Sequence, residues 1–229
     1  MDIILKYFIA SIRYFLMITL SSIVLLPNVI FAQTMNKNDT YGFSMCHPWF
    51  VTGELGYSNY LDMYFSDGQT PVGRFSFGRE LGQAGILNFG LEVGIQNGNT
   101  MRFRVDIAHT EDFGYVFDVS AKPVMDLLLT VKTNTFSDQV PVFALFKVGP
   151  AYQRWIITDR DTIDDRTKVS LEVQAGLGYW VNNRTNISLS YQRIFGSHPN
   201  FYVKADAETA YISQIPTQYA VLLGISVQF

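Results

Sequence analysis

The sequence has a single cysteine, Cys46, and only three histidines, His47, His109 and His198. One thiol makes no internal disulfide, and three scattered imidazoles make no metal cluster. Positive charge is also short: 17 Lys and Arg stand against 20 Asp and Glu. That balance leaves no electrostatic footprint for nucleic acid. Past residue 32 no run of about 18 apolar residues occurs, which excludes transmembrane helices from the remainder. Little conventional chemistry is left, and the information lies in the pattern.

The first 32 residues differ from the rest. Lys6 and Arg13 form a weakly basic start, Tyr14 to Leu26 is uncharged and mostly apolar, and Pro27 and Asn28 break the run. A small residue, Ala32, precedes Gln33. This is the layout of a secretory signal peptide, cleaved near 32–33. A membrane-spanning helix over 14–32 is the alternative. Cleavage removes Lys6, Arg13 and Asp2 and leaves 15 basic and 19 acidic residues. Residues 33–47 then form an N-terminal periplasmic segment, and 48–229 one folded domain.

That domain alternates with a period of two, a strand signal. In 86–96, Leu87, Phe89, Leu91, Val93 and Ile95 alternate with Asn88, Gly90, Glu92, Gly94 and Gln96. In 168–179, Leu171, Val173, Ala175, Leu177 and Tyr179 alternate with Ser170, Glu172, Gln174, Gly176 and Gly178. In 124–132, Leu127, Leu129 and Val131 face away from Asp126, Thr130 and Lys132, with Leu128 an exception. The same rhythm marks 49–58, 70–79, 142–153, 185–195 and 218–229, although Phe143 and Leu145 blur it. Each stretch has about the 9–11 residues with which a tilted strand crosses a bilayer.

Connections after the second, fourth and sixth strands are short, and the others are longer, above all 97–122 and 196–217. Such asymmetry suits a barrel with periplasmic turns and extracellular loops. Aromatic residues gather at two levels: Trp49, Tyr179, Trp180 and Phe229 near the short turns, and Tyr57, Tyr152, Trp155, Tyr191, Phe195 and Tyr219 near the long loops. Two belts of this kind match two membrane interfaces. Asn97-Gly98-Asn99 is a hairpin signal. It leaves two readings of 97–122: a ribbon prolonging strands three and four above an eight-stranded barrel, or two further strands making ten.

Four features carry a family resemblance. They are Asp126-Leu127-Leu128-Leu129-Thr130-Val131-Lys132, Phe146-Lys147-Val148-Gly149-Pro150-Ala151-Tyr152, Glu172 to Tyr179, and the apolar stripe from Tyr219 to a terminal Phe229. Residues 48–229 resemble the eight-stranded OmpA/OmpX-like outer-membrane barrels. The resemblance implies an all-β, single antiparallel transmembrane barrel, integral to a bacterial outer membrane. It implies contact with outer-membrane lipid and lipopolysaccharide, and Phe229 as a signal to the barrel assembly machinery. A periplasmic peptidoglycan-binding domain is lacking, so cell-wall anchoring does not carry over. Family members serve as adhesins, envelope-integrity proteins, narrow channels and sometimes lipid-modifying enzymes, so fold alone does not decide function.

Parity places five charges on the inner face near mid-strand: Glu54, Arg74, Glu92, Lys147 and Glu172. Glu54, Arg74 and Glu92 are expected to meet along strands one to three, and Lys147 to meet Glu172 on the next strand. An eight-stranded barrel is just wide enough for side chains to fill, so the expected role is a polar plug; a gate in a narrow pore is the sharper alternative. Ser197-His198, with Asp206 or Glu208, has the residue types of an esterase, but adjacent side chains on extended backbone point apart. Asp159, Asp161, Asp164 and Asp165 lack the glycine and distal glutamate of a calcium loop. The expected protein is therefore not an enzyme and holds no cofactor or metal. Its role is structural and interactive, with exposed loops reaching a host or surface ligand. A small-solute channel is the alternative and a lipid-modifying enzyme the third.

Overall fold

A computed structural model describes residues 48–61, 63, 67–105, 115–135, 141–157, 163–204 and 209–229. The expected signal peptide and the 33–47 segment lie outside these residues. Thirteen strands occur: β1 (Trp49–Tyr60), β2 (Gln69–Ala84), β3 (Leu87–Gln96), β4 (Asn99–Val105), β5 (Tyr115–Ala121), β6 (Val124–Thr133), β7 (Val142–Ile157), β8 (Ile163–Asp164), β9 (Arg166–Trp180), β10 (Thr185–Ile194), β11 (Phe201–Lys204), β12 (Thr209–Ile212) and β13 (Gln218–Gln228).

Eight of them form a closed antiparallel barrel in the order β1-β2-β3-β6-β7-β9-β10-β13, with β13 pairing back onto β1. The closing seam is regular from Phe50↔Gln228 to Tyr60↔Gln218. Closure removes every open edge of the wall, as a bilayer requires of a sheet that spans it. The eight expected strands correspond one to one with these eight.

The ribbon reading of 97–122 holds and the ten-stranded one does not. β4 and β5 pair with each other from Asn99↔Ala121 to Val105↔Tyr115, and β5 leans on the outer end of β7 at Val119↔Ile157. Asn97-Gly98-Asn99 is not a hairpin turn. Strand direction carries on through it, because Asn97 is anchored sideways on β2: its backbone N–H donates to Gly73 O at 3.0 Å, and Gly73 N–H donates to Asn97 Oδ1 at 2.7 Å. Gly98 is needed for close approach, since a Cβ there would lie 2.0 Å from Ala121 O.

β2 runs further than the pattern predicts, to Ala84, through a bulge between Glu80 and Gly82. The turn into β3 is then only Gly85-Ile86, and Gly85 has φ of 60°, open to glycine without strain. The connection from β9 to β10 is also short, four residues; those after β1 and β6 are both eight, and the longest excursions, from β3 to β6 and from β10 to β13, lie at the end opposite the Gly85 turn. Parts of two connections, β7 to β9 and β10 to β13, meet in a second small sheet, β11-β12-β8.

The wall is apolar outside and polar inside. Leu55 is 73% exposed, while Glu54 beside it is 2% exposed. Val93, Ile95, Leu177, Leu189, Leu223 and Ile225 continue the outer surface. This reverses a water-soluble barrel and fits a hydrocarbon surround. At the short-turn end Trp49 stacks on Phe77 at 5.2 Å, and Phe77 meets Phe229 at 6.3 Å. Nearer the other end Tyr191 and Tyr219 stack at 6.4 Å. Trp155 and Trp180 do not belong to these belts. Both are buried, because each follows an outward-facing neighbour by one residue and so points inward.

Candidate functional site

The interior is layered. At the short-turn end lie the rings of Phe50, Phe143 and Trp180 with Leu145. Two glycines seat the phenylalanines: a Cβ at Gly78 would fall 2.3 Å from the Phe50 ring, and one at Gly178 would fall 2.2 Å from the Phe143 ring. Phe143 and Leu145, which blurred the alternation of β7, are thus inward apolar residues. Beside them Lys132 reaches Glu80 Oε1 at 3.2 Å and lies over the Phe50 ring at 4.6 Å. Gln228 Nε2 donates to the same Glu80 oxygen at 2.7 Å.

The middle layer is ionic. Arg74 is its hub. Its Nη1 donates to Glu54 Oε2 at 2.6 Å, and its Nε and Nη2 make a two-pronged contact with Asp126 at 2.9 and 2.6 Å. Nη2 also lies 2.6 Å from Glu92 Oε1. Lys147 Nζ donates to Glu92 Oε1 at 3.0 Å and stands 3.5 Å from Glu54 Oε1. A planar guanidinium suits this role because its donors are fixed in a fork. Gly94 makes room for it: a Cβ there would lie 2.4 Å from Arg74 Nη2 and 2.7 Å from Asp126 Oδ1.

All five expected charges face the lumen and are buried, and Glu54, Arg74 and Glu92 do meet. The expected contact between Lys147 and Glu172 is absent. Lys147 lies across from Gln174 in the ladder and sends its amine over the lumen to Glu92. Glu172 Oε1 instead accepts from Gln174 Nε2 at 2.8 Å and Gln192 Nε2 at 2.7 Å. Two further acids take part. Asp126, the third residue of β6, was on the inner face by parity, and that parity was the signal that could have found it. Glu80 lay in a stretch assigned to a connection; β2 runs on past Arg79, and Glu80 faces inward by the same parity as Arg74, Ser76 and Gly78.

Above the ionic layer a third layer is apolar again: Tyr60, Met101, Val119, Ala121, Trp155, Ile157, Ile212 and Ile215 form one buried cluster. Tyr60 and Trp155 meet edge to face at 5.8 Å. The β4–β5 ribbon is tied to the β1–β2 connection by Arg102 Nη2, which donates to Asp67 Oδ1 at 3.0 Å. That hydrogen-bonded guanidinium holds the Asp67 carboxyl below its usual range.

Among the described residues the other sequence candidates are not brought together. Ser197 and His198 are exposed, and Ser197 N–H donates to Ile215 O. Asp206, Glu208, Asp159 and Asp161 lie outside the described residues. Asp165 pairs with Arg154 at 2.7 Å. Among the described residues no group of three or more His, Cys, Asp and Glu side chains is placed to hold a metal ion.

No family model matches the sequence, and no curated protein does. Solved structures do match. The outer membrane protein OprG of Pseudomonas aeruginosa superposes with a TM-score of 0.53 at 11% identity, over 80% of this chain and 96% of that one. Neisserial surface protein A gives a TM-score of 0.46 at 16% identity, over 79% and 97%. Ail, the attachment invasion locus protein of Yersinia pestis, gives 0.44 at 12%, over 80% and 97%. Identities this low speak to fold alone, and the fold that this chain shares with OprG is a closed eight-stranded antiparallel β-barrel.

Proposed function

We propose that this protein is an integral component of a bacterial outer membrane whose barrel is a structural frame and whose outer segments carry contacts with the envelope or a host surface. The observation that supports this most is the filled lumen. Ion pairs occupy its middle, and apolar side chains occupy both ends. Charges withdrawn from water in this way hold the wall together rather than line a water path. Outer-membrane lipid and lipopolysaccharide are the partners of the apolar wall, and the assembly machinery is the partner of the Phe229 strand. Tyr202 and Tyr211 stack at 5.5 Å on the outer small sheet, a surface of the kind that anchors binding.

Two measurements test this. Protein reconstituted in planar bilayers is expected to give no steady ion conductance; a stable open level would establish the channel alternative. Replacing 103–117 and 198–211, which leaves the buried roots Met101, Val119, Ala121, Ile212 and Ile215 in place, by short Gly-Ser turns should keep heat-modifiable gel migration and abolish adhesion of expressing cells to host cells or matrix. Adhesion that survives both replacements would refute the role given to these loops.

A further inference from the structure

Glu172 is completely buried at 0% exposure, yet no cation partners it among the described residues. Its neighbours do not supply a spare charge. Arg74 and Lys147 are shared among Glu54, Glu92 and Asp126, so Glu172 is a fourth carboxylate beside two cations. Both Arg74 and Asp126 stand within coulombic reach of it. A buried carboxylate held only by neutral amides lacks compensation.

A second observation is independent of this charge count. Gln174 and Gln192 are cross-strand partners on β9 and β10, and both turn their NH2 groups to Glu172 Oε1. Their carbonyl oxygens therefore lie at most about 5 Å from that oxygen, by amide bond lengths. Glu172 Oε2, Gln174 Oε1 and Gln192 Oε1 are all buried, and no protein donor reaches any of them. Three acceptors lacking a donor call for a donor or a cation. The surplus of negative charge selects the cation.

We propose that Glu172, Gln174 and Gln192 form a lumenal site for one monovalent alkali cation. Oxygen donors favour a hard ion. One carboxylate with two neutral carbonyls matches a single charge, whereas calcium sites gather more oxygens and more carboxylates. The site would offset one of the two surplus negative charges of the ionic layer, whatever the outer loops contact.

The test is thermal unfolding of the refolded, full-length protein in detergent, followed by gel mobility. It is run at pH 8 and constant ionic strength, with sodium, potassium or rubidium chloride against choline chloride, whose cation is too large for the site. The wild-type midpoint should rise by several degrees in the alkali salts and climb with their concentration, as linkage requires. Glu172→Gln should still fold to the heat-modifiable form and lose that dependence. Rubidium-soaked crystals should show an anomalous peak beside Glu172. Equal midpoints in choline and alkali salts would overturn the site. So would an alkali dependence retained in Glu172→Gln, which would place the ion elsewhere. A midpoint that ignores the alkali cation but follows pH between 5 and 8, in wild type and not in Glu172→Gln, would assign the compensating charge to a proton and overturn the alkali site.

Discussion

Replacing Arg74 with alanine removes the hub of the ionic layer and tests whether the lumen is dry. Three oxygens then lose their donor, one of Glu54 and both of Asp126, and Glu92 Oε1 loses one of its two cations. Lys147 still reaches Glu92 at 3.0 Å and Glu54 at 3.5 Å, but Asp126 keeps no cation. Both sides of each pair are at most 1% exposed, so solvent relieves little of the loss. Breaking a buried pair on one side costs about 3–5 kcal/mol, a roughly 100- to 4,000-fold change in the unfolding equilibrium. The assay is equilibrium denaturation in detergent, with tryptophan fluorescence and gel mobility as two probes. Single-channel recording on the same variant accompanies it. Adding Asp126→Asn to the variant should recover part of the loss, because the stranded charge is gone. A loss below about 1 kcal/mol with raised conductance would refute the dry-plug reasoning, since hydrated ion pairs contribute only that much.

Other outcomes follow from the same geometry. Gly94→Ala should cost about 1–3 kcal/mol, because its Cβ would fall 2.4 Å from Arg74 Nη2; Gly53→Ala, with nothing within 4 Å, is the control and should stay within about 0.5 kcal/mol in the same denaturation assay. Deleting Phe229, which is exposed and whose ring meets Phe77 at 6.3 Å, should lower insertion in cells while refolding in detergent stays nearly intact; equal losses in both would assign it to packing instead. The Asp67 carboxyl is held below its ordinary value by Arg102, so the tie contributes fully above that ordinary value and is lost as pH falls through the lowered one. Amide exchange in β4 should accelerate there in wild type, and Asp67→Asn should flatten that pH response.

The wall was legible in the sequence because lipid outside and polar groups inside impose one parity on each spanning strand. Glu92 and Leu91 need no further information to be sorted. Partner choice across the lumen was not legible in the same way. Side chains from strands that are not neighbours meet inside so narrow a barrel, so Lys147 finds Glu92 rather than Glu172 next door. Arg74 likewise reaches Asp126, two strands away in the wall. Trp155 and Trp180 were misplaced because aromatic richness at strand ends was weighed above parity. The continuation of β2 past Arg79 was read as a connection, and with it went the Glu80 pair with Lys132, although Glu80 keeps the inward parity of Arg74.

The outer apolar cluster has a consequence for how the exposed face can diversify. Its members come from β1, β4, β5, β7, β12 and the segment before β13. The surface excursions are therefore not interchangeable modules that accept substitution one at a time. Their roots share one packed floor, where a volume change at Met101 is felt by Trp155 and Ile215. Variation has freedom only above that floor, and lineages that alter the roots must alter several together.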